Sequence, residues 1–480
     1  MKLKTLINSL LIGAFAISGV ACDDNDVVVG SVDTSRIEAP QGDVVYITDG
    51  RGCRTFSTVE FHNTATEGLT LNTRKALASP CKVTFAYDSK VLDDYNKANG
   101  TQYKAFPQSM VSFANGGAVT LEAGSTKATA HYTLSSDGSL DPAATYVLPV
   151  KATVEGGAFL GAEDASKVIL VKDLSALPDA TKYVEDENGN MVPGVKVFSC
   201  MEVNDTNPLN NLSFTLKNSG KPLVDCLIIF SANINYNPET GRVYIFNNEN
   251  VQAILDNRAK YLKPLQDRGI KVVLGILGNH DRSGISNLDA NTAKLFAREC
   301  KNMCDAYQLD GIFWDDEYSA YQNPVPAGFV SPSREACSRL MYEVKKIQPE
   351  RWNIAYVYRT TSSADDITDP ETGVTVKGGE YIDYALHDYG GSYDLADKYN
   401  GMQRSQMGLY SQEFARGYMA RLENLEKMRK EGYGAHMIFS MDPNKSNFEV
   451  IQYGAMENCA KAFYDDELVF DGIKYPKDWK

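Results

Sequence analysis

The sequence predicts two folded parts, a small β-sandwich followed by a (β/α)8 barrel. Residues 27–172 contain short alternating strands separated by Gly, Asp and Ser, whereas in residues 195–480 buried apolar strands alternate with amphipathic helices. A polar segment rich in turn residues lies between them, and 480 residues exceed one ordinary compact core. We therefore predict a signal segment over 1–21, the sandwich over 22–172, a linker over 173–194 and the barrel over 195–480.

The first residues have the pattern of an export signal. Lys2 and Lys4 precede a mostly apolar run over 6–17 that is too short to span a membrane, and small residues then lead to Cys22. The segment resembles a bacterial lipoprotein signal, and the acidic run 23–26 resembles the surface-export signal of Bacteroidetes-type lipoproteins. The resemblance implies lipidation of Cys22 and a location on the outer face of the outer membrane. The alternative is an ordinary secretory signal with a free Cys22.

The predicted sandwich contains several clear strands and one short helix. The helix covers Ser89–Asn99, because Val91, Leu92 and Tyr95 form one apolar face. The clearest strands are Val44–Ile47, Val83–Tyr87, Thr126–Tyr132 and Tyr146–Val150. Through Tyr95-Asn96, Tyr103, Pro107 and Tyr146–Pro149 the region resembles the immunoglobulin-like domains that precede other modules in such lipoproteins, which implies a spacer or accessory role. Cys53 and Cys81 are candidates for a disulfide within this domain.

Eight strands and five helices are predicted for the barrel. A doubly wound open sheet is the alternative, but no G-x-G-x-x-G or P-loop motif opens any of the helices. The predicted strands are Val195–Val203, Cys226–Ala232, Lys271–Leu277, Gly311–Asp315, Asn353–Tyr358, Tyr381–His387, Met407–Tyr410 and His436–Met441. The predicted helices are Asn250–Asp267, Asn291–Tyr307, Ser333–Lys346, Gln412–Lys430 and Phe448–Tyr464.

The fourth barrel strand ends in three carboxylates. Because side chains alternate along a strand, Phe313, Asp315 and Glu317 share one face, and Asp316 points the other way. Enzymes with this fold carry their chemistry at the C-terminal ends of the strands, which makes Asp315 and Glu317 the candidate catalytic pair. Asp310, early in the strand, is expected to be structural. The plainer alternative is that these acids cap the next helix or lie in solvent.

Two segments carry a family resemblance. The Asp-Gly-x-x-x-Asp-x-Glu pattern of 310–317 resembles the signature of glycoside hydrolase family 18, and 309–318 is more similar to its endo-β-N-acetylglucosaminidases of the H and F type than to chitinases. Residues 269–280, including Leu277-Gly278-Asn279-His280, resemble the third strand of those enzymes. The resemblance implies hydrolysis of the GlcNAc-β1,4-GlcNAc core of N-glycans by a retaining, substrate-assisted mechanism, without cofactor or metal. Glu317 would be the general acid and base, and Asp315 would orient the 2-acetamido group.

Strand six supplies further candidates. Ala385, His387 and Tyr389 are expected to share the inner face, and Tyr389 matches a family tyrosine that hydrogen-bonds the acetamido oxygen. His387 stands where the family has an amide, and Phe313 stands where it has the first of two paired acids. The remaining substrate-binding candidates are Asn279, His280, Tyr356, Tyr358 and Met441, the last at a position where the family commonly has an aromatic residue.

The net charge of −14 argues against nucleic acid as a partner. We expect N-glycans of glycoproteins as substrates and other glycan-uptake surface proteins as neighbours. One alternative is a chitinase-like hydrolase, although chitinases line their clefts with Trp and this chain has only 3. The other is a non-catalytic surface glycan-binding protein on the same barrel, against which the presence of Glu317 argues.

Overall fold

A computed structural model describes residues 43–156 and 158–480. The predicted signal segment and the lipidation candidate Cys22 lie outside these ranges. Within them, no helix combines the length and the apolar character that a membrane span requires.

The N-terminal part is a sandwich of two antiparallel-rich sheets. The strands are β1 Asp43–Asp49, β2 Ser57–Phe61, β3 Thr64–Thr73, β4 Cys81–Tyr87, β5 Lys104–Ala105, β6 Val111–Phe113, β7 Ala118–Leu121, β8 Lys127–Ser135, β9 Tyr146–Gly156, β10 Ala158–Leu160 and β11 Ser166–Asp173. One sheet has the strand order β10-β1-β3-β8-β6, and the other has the order β2-β11-β9-β4-β7 with β5 beside β9. Alternating apolar side chains of both sheets form the core, in which Leu71, Phe85 and Val150 are fully buried.

The predicted helix of the sandwich is present as α1, Ser89–Asn99. Asp88 caps its first turn by accepting a hydrogen bond from the Lys90 backbone N–H, and Gly100 ends it in the left-handed conformation. The disulfide proposed between Cys53 and Cys81 is wrong, because both are buried thiols without a disulfide partner among the described residues. Cys53 lies in the turn after β1 of the first sheet, whereas Cys81 begins β4 of the second sheet, so each packs as a small apolar residue.

The C-terminal part is a closed barrel of eight parallel strands. The eight strands are β14 Lys196–Glu202, β16 Cys226–Asn237, β18 Lys271–Leu277, β19 Gly311–Trp314, β20 Trp352–Val357, β23 Tyr384–His387, β24 Met407–Gly408 and β26 Ala435–Phe439. Strand β14 pairs with both β16 and β26, which closes the sheet on itself. The accessory strands are β12 Tyr183–Glu185, β13 Met191–Pro193, β15 Phe214–Leu216, β17 Arg242–Phe246, β21 Ile367–Thr368, β22 Thr375–Val376, β25 Gln412–Glu413 and β27 Leu468–Phe470.

Alternate residues of each barrel strand belong to two separate apolar layers. The inner layer fills the barrel and includes Phe198, Ile228, Phe313 and Leu386. The outer layer lies between the strands and the helices and includes Trp314. These two layers define which side chains can reach the mouth of the barrel.

Helices pack around the barrel, and two of them differ from the prediction. The segment predicted as Asn250–Asp267 forms three short helices, and Pro264, which has no backbone N–H, lies in the first turn of the third. Gln412 and Glu413 are not helical, because they form β25 and pair with Ile438 and Phe439. The helices are α2 Glu249–Asp256, α3 Arg258–Tyr261, α4 Lys263–Gln266, α5 Ala290–Tyr307, α6 Arg334–Ile347, α7 Gly378–Tyr381, α8 Leu422–Lys430 and α9 Tyr453–Tyr464, the last preceded by a π-helical turn, Phe448–Gln452.

The segment between sandwich and barrel packs against the barrel. Strands β12 and β13 form a hairpin within it, and the buried Lys182 ammonium lies 2.6 Å from Asp225 Oδ2. The sandwich contacts the opposite face of the barrel from the one that carries Asp315. There, Lys271 at the start of β18 bonds Glu60 at 2.8 Å, and Glu350 before β20 accepts from the Tyr103 hydroxyl at 3.1 Å.

Candidate active site

Strand β19 delivers the two catalytic candidates to the barrel mouth. A Cβ on Gly311 would lie 2.0 Å from the Trp352 carbonyl oxygen, so only glycine allows β19 and β20 to approach this closely. Phe313 packs inside the barrel against Phe230 and Tyr356, whereas Trp314 faces outward. The alternation therefore directs Asp315, directly after the end of β19, to the inner side, and Glu317 lies close enough for its negative charge to act on Asp315.

Asp315 is a buried carboxyl group with an unsatisfied oxygen. Its side chain is 5% exposed, and Oδ1 has no hydrogen-bond partner among the described residues. Burial, together with the negative charges of Glu317, Asp316 and Asp388, raises the pKa of Asp315 well above its usual value. Phe313, one step deeper, puts an aromatic ring rather than an acid beneath it. Because buried polar atoms are normally hydrogen-bonded, Oδ1 of Asp315 is positioned to accept a hydrogen bond from a bound ligand.

Asp316, next to Asp315, and Asp310, at the start of the same segment, have structural roles. Asp316 accepts hydrogen bonds from the hydroxyls of Tyr321 at 2.9 Å, Ser286 at 3.5 Å and Thr360. Asp310 accepts from the backbone N–H of Val272 at 2.9 Å. Both carboxylates are thus occupied in tying β19 to its surroundings, in agreement with the sequence analysis.

The loop after β18 holds the backbone at Glu317. The Gly278 N–H donates to the Glu317 carbonyl oxygen at 3.0 Å, and a Cβ on Gly278 would lie 2.2 Å from that oxygen. Glu317 itself is half-buried. Asn279 and His280 are exposed at the rim, where Asn279 bonds the Asn235 side chain at 3.2 Å. The Leu-Gly-Asn-His segment therefore positions the candidate acid and also reaches solvent beside it.

The predicted inner face of strand β23 is wrong by one residue. Leu386 lies in the inner layer, and Ala385 lies in the outer layer. His387 accordingly points away from the mouth, where its Nε2 lies 2.9 Å from the Tyr393 carbonyl oxygen and its ring meets the Tyr393 ring edge-on. Burial lowers the pKa of His387. His387 is therefore a packing residue and does not contact the site.

The inner position that follows Leu386 belongs to Asp388. Its Oδ1 accepts hydrogen bonds from the Tyr356 hydroxyl at 2.7 Å and from the Tyr389 backbone N–H at 2.6 Å. The chain turns directly afterwards at Gly390, with φ 71°. The turn lets Tyr389 also face inward, where its ring packs on Phe439 at 6.2 Å, and burial raises the pKa of its hydroxyl. Asp388 and Tyr389 are consecutive and both face inward, so the regular alternation of a strand does not extend to Tyr389.

Two tyrosines of the fifth strand line the mouth, and the residue expected from the eighth does not. The rings of Tyr356 and Tyr358 stack at 5.9 Å, with the Arg359 guanidinium 5.5 Å from the Tyr358 ring centroid. The prediction for Met441 is wrong, because it packs in the outer layer. The inward position on β26 is occupied by Phe439, which contacts Phe230 edge-on at 5.7 Å.

Comparisons with known proteins identify the family. A family model described as an N-terminal domain matches residues 39–158. The chain is 57% identical over 291 residues to endo-β-N-acetylglucosaminidase F1 from Elizabethkingia meningoseptica, covering 61% of this chain and 84% of the relative. It is 31% identical over 268 residues to an endo-β-N-acetylglucosaminidase from Flavobacterium sp. (strain SK1022), covering 54% of this chain and 81% of that relative. The chain belongs to the endo-β-N-acetylglucosaminidase family.

Solved structures extend this result to 90% of the chain. EndoBT-3987 from Bacteroides thetaiotamicron, in complex with a Man5GlcNAc product, matches with a TM-score of 0.80 and 32% identity over 90% of this chain and 98% of that chain. The same enzyme with a Man9GlcNAc2Asn substrate matches with a TM-score of 0.74, 30% identity and the same coverage. The protein is a glycoside hydrolase with the (β/α)8 fold of family 18, preceded by an all-β domain.

Within this endo-β-N-acetylglucosaminidase-family barrel, sequence reasoning missed two polar residues of the seventh strand region. Ser411 and Glu413 are each 1% exposed, and Ser411 Oγ and Glu413 Oε1 have no hydrogen-bond partner among the described residues. Glu413 is in parallel register with the inward-facing Phe439, so its side chain lies on the inner side of the sheet. Glu413 was predicted to lie in the helix Gln412–Lys430, and Ser411 lay outside every predicted element. The period-two placement of these two polar residues next to Met407–Gly408 was the signal that could have revealed them.

Proposed function

We propose that this protein hydrolyses the β1,4 bond between the two core N-acetylglucosamines of N-glycans on glycoproteins. The observation that carries this proposal is the buried Oδ1 of Asp315, which has no hydrogen-bond partner among the described residues and lies within reach of the Glu317 charge. A 2-acetamido N–H is a donor that can satisfy this oxygen. The named activity of the relatives and the N-glycan ligands of EndoBT-3987 support this choice of substrate.

The proposed reaction is substrate-assisted and retains the anomeric configuration. The carbonyl oxygen of the 2-acetamido group attacks the anomeric carbon while Glu317 donates its proton to the leaving oxygen, which breaks the glycosidic bond and forms an oxazolinium ring. Asp315 accepts a hydrogen bond from the acetamido N–H and stabilises the positive charge that develops there. Glu317, now a carboxylate, then takes a proton from water as the water oxygen attacks the anomeric carbon and opens the ring.

Two tyrosines complete the proposed acetamido site. Tyr389 donates its hydroxyl to the acetamido oxygen, which requires the phenol to stay protonated, and burial favours this by raising its pKa. Asp388 orients Tyr356 through the 2.7 Å hydrogen bond from the Tyr356 hydroxyl, which keeps a ring wall beside the sugar. The proposed mechanism therefore assigns the proton transfers to Glu317 and the orientation of the acetamido group to Asp315 and Tyr389.

The substrate proposal is tested by incubating the protein with a high-mannose glycoprotein, a complex-type glycoprotein and a chitin oligomer. We expect cleavage of at least one glycoprotein with a single N-acetylglucosamine left on the asparagine, read by mass spectrometry. Cleavage of the chitin oligomer alone would replace the proposal with a chitinase. Tight binding of a glycan without cleavage of any of the three would replace it with a non-catalytic glycan-binding protein.

The role of Glu317 is tested by Glu317→Gln. Because the amide has no transferable proton, kcat should fall at least about a thousandfold while the thermal unfolding temperature stays near that of the unaltered protein. Glu467→Gln, at a side chain that is 72% exposed and paired with Lys217, is the matched control and should leave kcat unchanged. Substantial activity in Glu317→Gln would show that another group is the acid.

For the location of the protein, we infer export and lipid anchoring at Cys22 on the cell surface. The charged start, the apolar run over 6–17 and the acidic residues 23–26 support this inference. There the enzyme would work beside other surface proteins of glycan uptake. Cys22→Ala should abolish incorporation of labelled fatty acid and release the protein from the membrane fraction. Unchanged labelling, or resistance of the unaltered protein to protease added to whole cells, would contradict surface anchoring.

A further inference from the structure

A cleft of about 800 Å³ lies where the sandwich meets the barrel. One wall is the outer face of β1, which contributes Val44, Tyr46 and Thr48. The other wall is the hairpin of β21 and β22, together with the segment that continues to Glu380. The described residues that line this cleft are distinct from those of the barrel mouth. Its volume is in the range of sites that bind a small ligand.

Contacts within the protein hold both walls of the cleft in place. The buried Glu380 carboxylate accepts hydrogen bonds from the backbone N–H groups of Arg54 at 2.6 Å and Thr55 at 3.1 Å. In the hairpin, Asp369 accepts two backbone N–H groups of its own turn, at 2.7 and 3.0 Å. Strand β1 pairs with β10 on one side and with β3 on the other. The wall formed by β1 therefore presents side chains, and its backbone is not free to pair with an added strand.

Three cationic side chains of the cleft are left without an ionic partner. Arg74 and Lys75 follow β3, and Lys377 follows β22. All three are exposed, and none of them forms an ion pair or a side-chain hydrogen bond among the described residues. Two cations on the sandwich therefore share one cleft with a third on the barrel.

The acids that line the cleft are already engaged by the protein. Asp366 accepts a backbone N–H at 3.2 Å and the Asn400 side-chain amide at 2.7 Å. Glu163 accepts from the Arg54 guanidinium at 3.2 Å, and Glu380 is bonded as described above. The positive charge at the cleft is therefore not neutralised locally, although the whole chain has a net charge of −14. Uncompensated cations in a concave site attract an anionic ligand.

The rest of the lining favours a sugar as the carrier of the negative charge. Tyr46 offers a half-buried aromatic ring, which packs well on the C–H groups of a pyranose. Thr372 and Thr375 add hydroxyl groups that can donate to and accept from sugar hydroxyls. The aliphatic side chains of the described lining are Val44 and Val374, which leaves little to anchor the apolar side chains of a peptide.

We propose that this cleft is a second carbohydrate-binding site, which takes a sugar that carries a carboxylate. The carboxylate binds between Arg74 and Lys75 on one side and Lys377 on the other, and the sugar ring packs on Tyr46. The site goes beyond the proposed hydrolysis, because it lies outside the barrel mouth and requires no turnover. Because residues of both domains line it, the sandwich acts in ligand binding and not only as a spacer.

The proposal is tested by isothermal titration calorimetry of the full chain. Sialyllactose presents the carboxylate of a sialic acid, and a tetrasaccharide of alternating glucuronic acid and N-acetylglucosamine presents that of a uronic acid. Lactose is the neutral counterpart. The three probes have no GlcNAc-β1,4-GlcNAc bond, so the proposed hydrolysis does not consume them. We expect at least one acidic sugar to bind with a Kd of about 0.1–1 mM, with lactose at least about tenfold weaker. Raising the salt from about 50 mM to about 500 mM should weaken this binding.

The cleft is mapped with a triple variant, Arg74→Ala with Lys75→Ala and Lys377→Ala. It should weaken binding of the acidic sugar at least about tenfold and leave the thermal unfolding temperature and N-glycan cleavage unchanged. The matched control removes the same charge at three exposed lysines outside the cleft that have no described ion pair. These substitutions are Lys97→Ala, Lys104→Ala and Lys430→Ala, and the affinity should stay within about twofold of the unaltered protein.

Four outcomes overturn the proposal. Equal binding of lactose and both acidic sugars would mean that the carboxylate is not recognised, and unchanged affinity in the cleft variant would place the site elsewhere. An equal loss in the control variant would mean that net charge alone is responsible. A hexaglutamate peptide that binds as tightly as the sugars would indicate an acidic peptide as the ligand. Failure of the proposed hydrolysis leaves this test intact, because it measures affinity and not cleavage.

Discussion

At Asp315, burial and neighbouring charge act on one carboxyl group in the same direction. Burial disfavours the ionised form, and Glu317, Asp316 and Asp388 add negative charge around it, while Arg359 opposes them. The family pattern has a second acid where this chain has Phe313. Asp388 supplies charge from a different strand, so the proton on Asp315 is governed by residues that lie far apart in the sequence.

Asp388→Asn is expected to shift the pH dependence of the reaction. The amide oxygen still accepts the Tyr356 hydroxyl, but one negative charge is removed, so the pKa of Asp315 falls. If the reaction needs Asp315 ionised, the acidic limb of kcat/KM should move to lower pH. The measurement is kcat/KM between about pH 4 and pH 9 on the glycopeptide. A limb that stays in place or moves to higher pH would contradict the charge coupling.

Asp315→Asn should stabilise the fold and abolish activity together. A carboxyl whose folded-state pKa is raised destabilises the protein at pH values above its unfolded pKa and has no such effect below it. We therefore expect the free energy of unfolding at pH 8 to rise by about 1 kcal/mol, with the gain lost as the pH falls below about 4. Chemical denaturation at the two pH values measures this. A loss of stability at pH 8 would mean that Asp315 is satisfied in the native protein.

At the scale of elements, the mouth is built where strands end and loops begin. The segment 278–280 runs beside 317–320, with backbone hydrogen bonds from Gly278 to Glu317 and from His280 to Tyr318. Strand β23 behaves similarly, since the turn at Gly390 redirects Tyr389 after the regular alternation has ended at His387. Loops of this kind are anchored to the rigid barrel and fix the positions of a few side chains at its mouth.

Gly278→Ala is expected to damage activity more than stability. Its Cβ would lie 2.2 Å from the Glu317 carbonyl oxygen and 2.7 Å from the Ser319 nitrogen, so the segment that carries Glu317 must shift. A displacement near 1 Å at a catalytic group costs roughly a hundredfold in kcat/KM. The control is Gly454→Ala in helix α9, where the new Cβ meets nothing within 4 Å and activity should be retained. Full activity of Gly278→Ala would show that the loop does not position the acid.

At the scale of the whole molecule, the sandwich is docked on the face of the barrel opposite to the proposed catalysis. Phe56 of the sandwich joins the outer apolar layer of the barrel and packs near Tyr342, and Glu380 accepts hydrogen bonds from the backbone N–H groups of Arg54 and Thr55. Burial alone would raise the pKa of Glu60, but Lys271 and Lys172 lower it to about 2. The interface thus combines an apolar contact with a charged one.

Glu60→Gln should destabilise the protein without affecting catalysis. A carboxylate with a depressed pKa stabilises the fold above its unfolded pKa, and this contribution is lost as the pH falls from about 4.5 toward 2. We expect a loss of about 1–2 kcal/mol at pH 7 that shrinks across this window, with kcat unchanged. Thermal unfolding between pH 7 and pH 3 and a glycopeptide assay measure both. A constant difference at all pH values would show that the ion pair does not carry the effect.

The sequence by itself determined the order of the main elements, the barrel, and the inward-facing side of β19, which holds Phe313 and is followed by Asp315. These features follow from local periodicity, since one apolar strand of known parity is enough to place its own side chains. Only the tertiary structure decided which side chains near the ends of the last strands face into the barrel and which pack outside it. These residues are His387, Asp388, Met441, Phe439 and Glu413. Their placement depends on a turn after β23 and on the pairing of β25 with β26, and both are set by contacts between residues distant in the chain. The unpaired Oδ1 of Asp315 is equally a property of its packing, because its burial, and its lack of a partner among the described residues, arise only when the surrounding strands have closed.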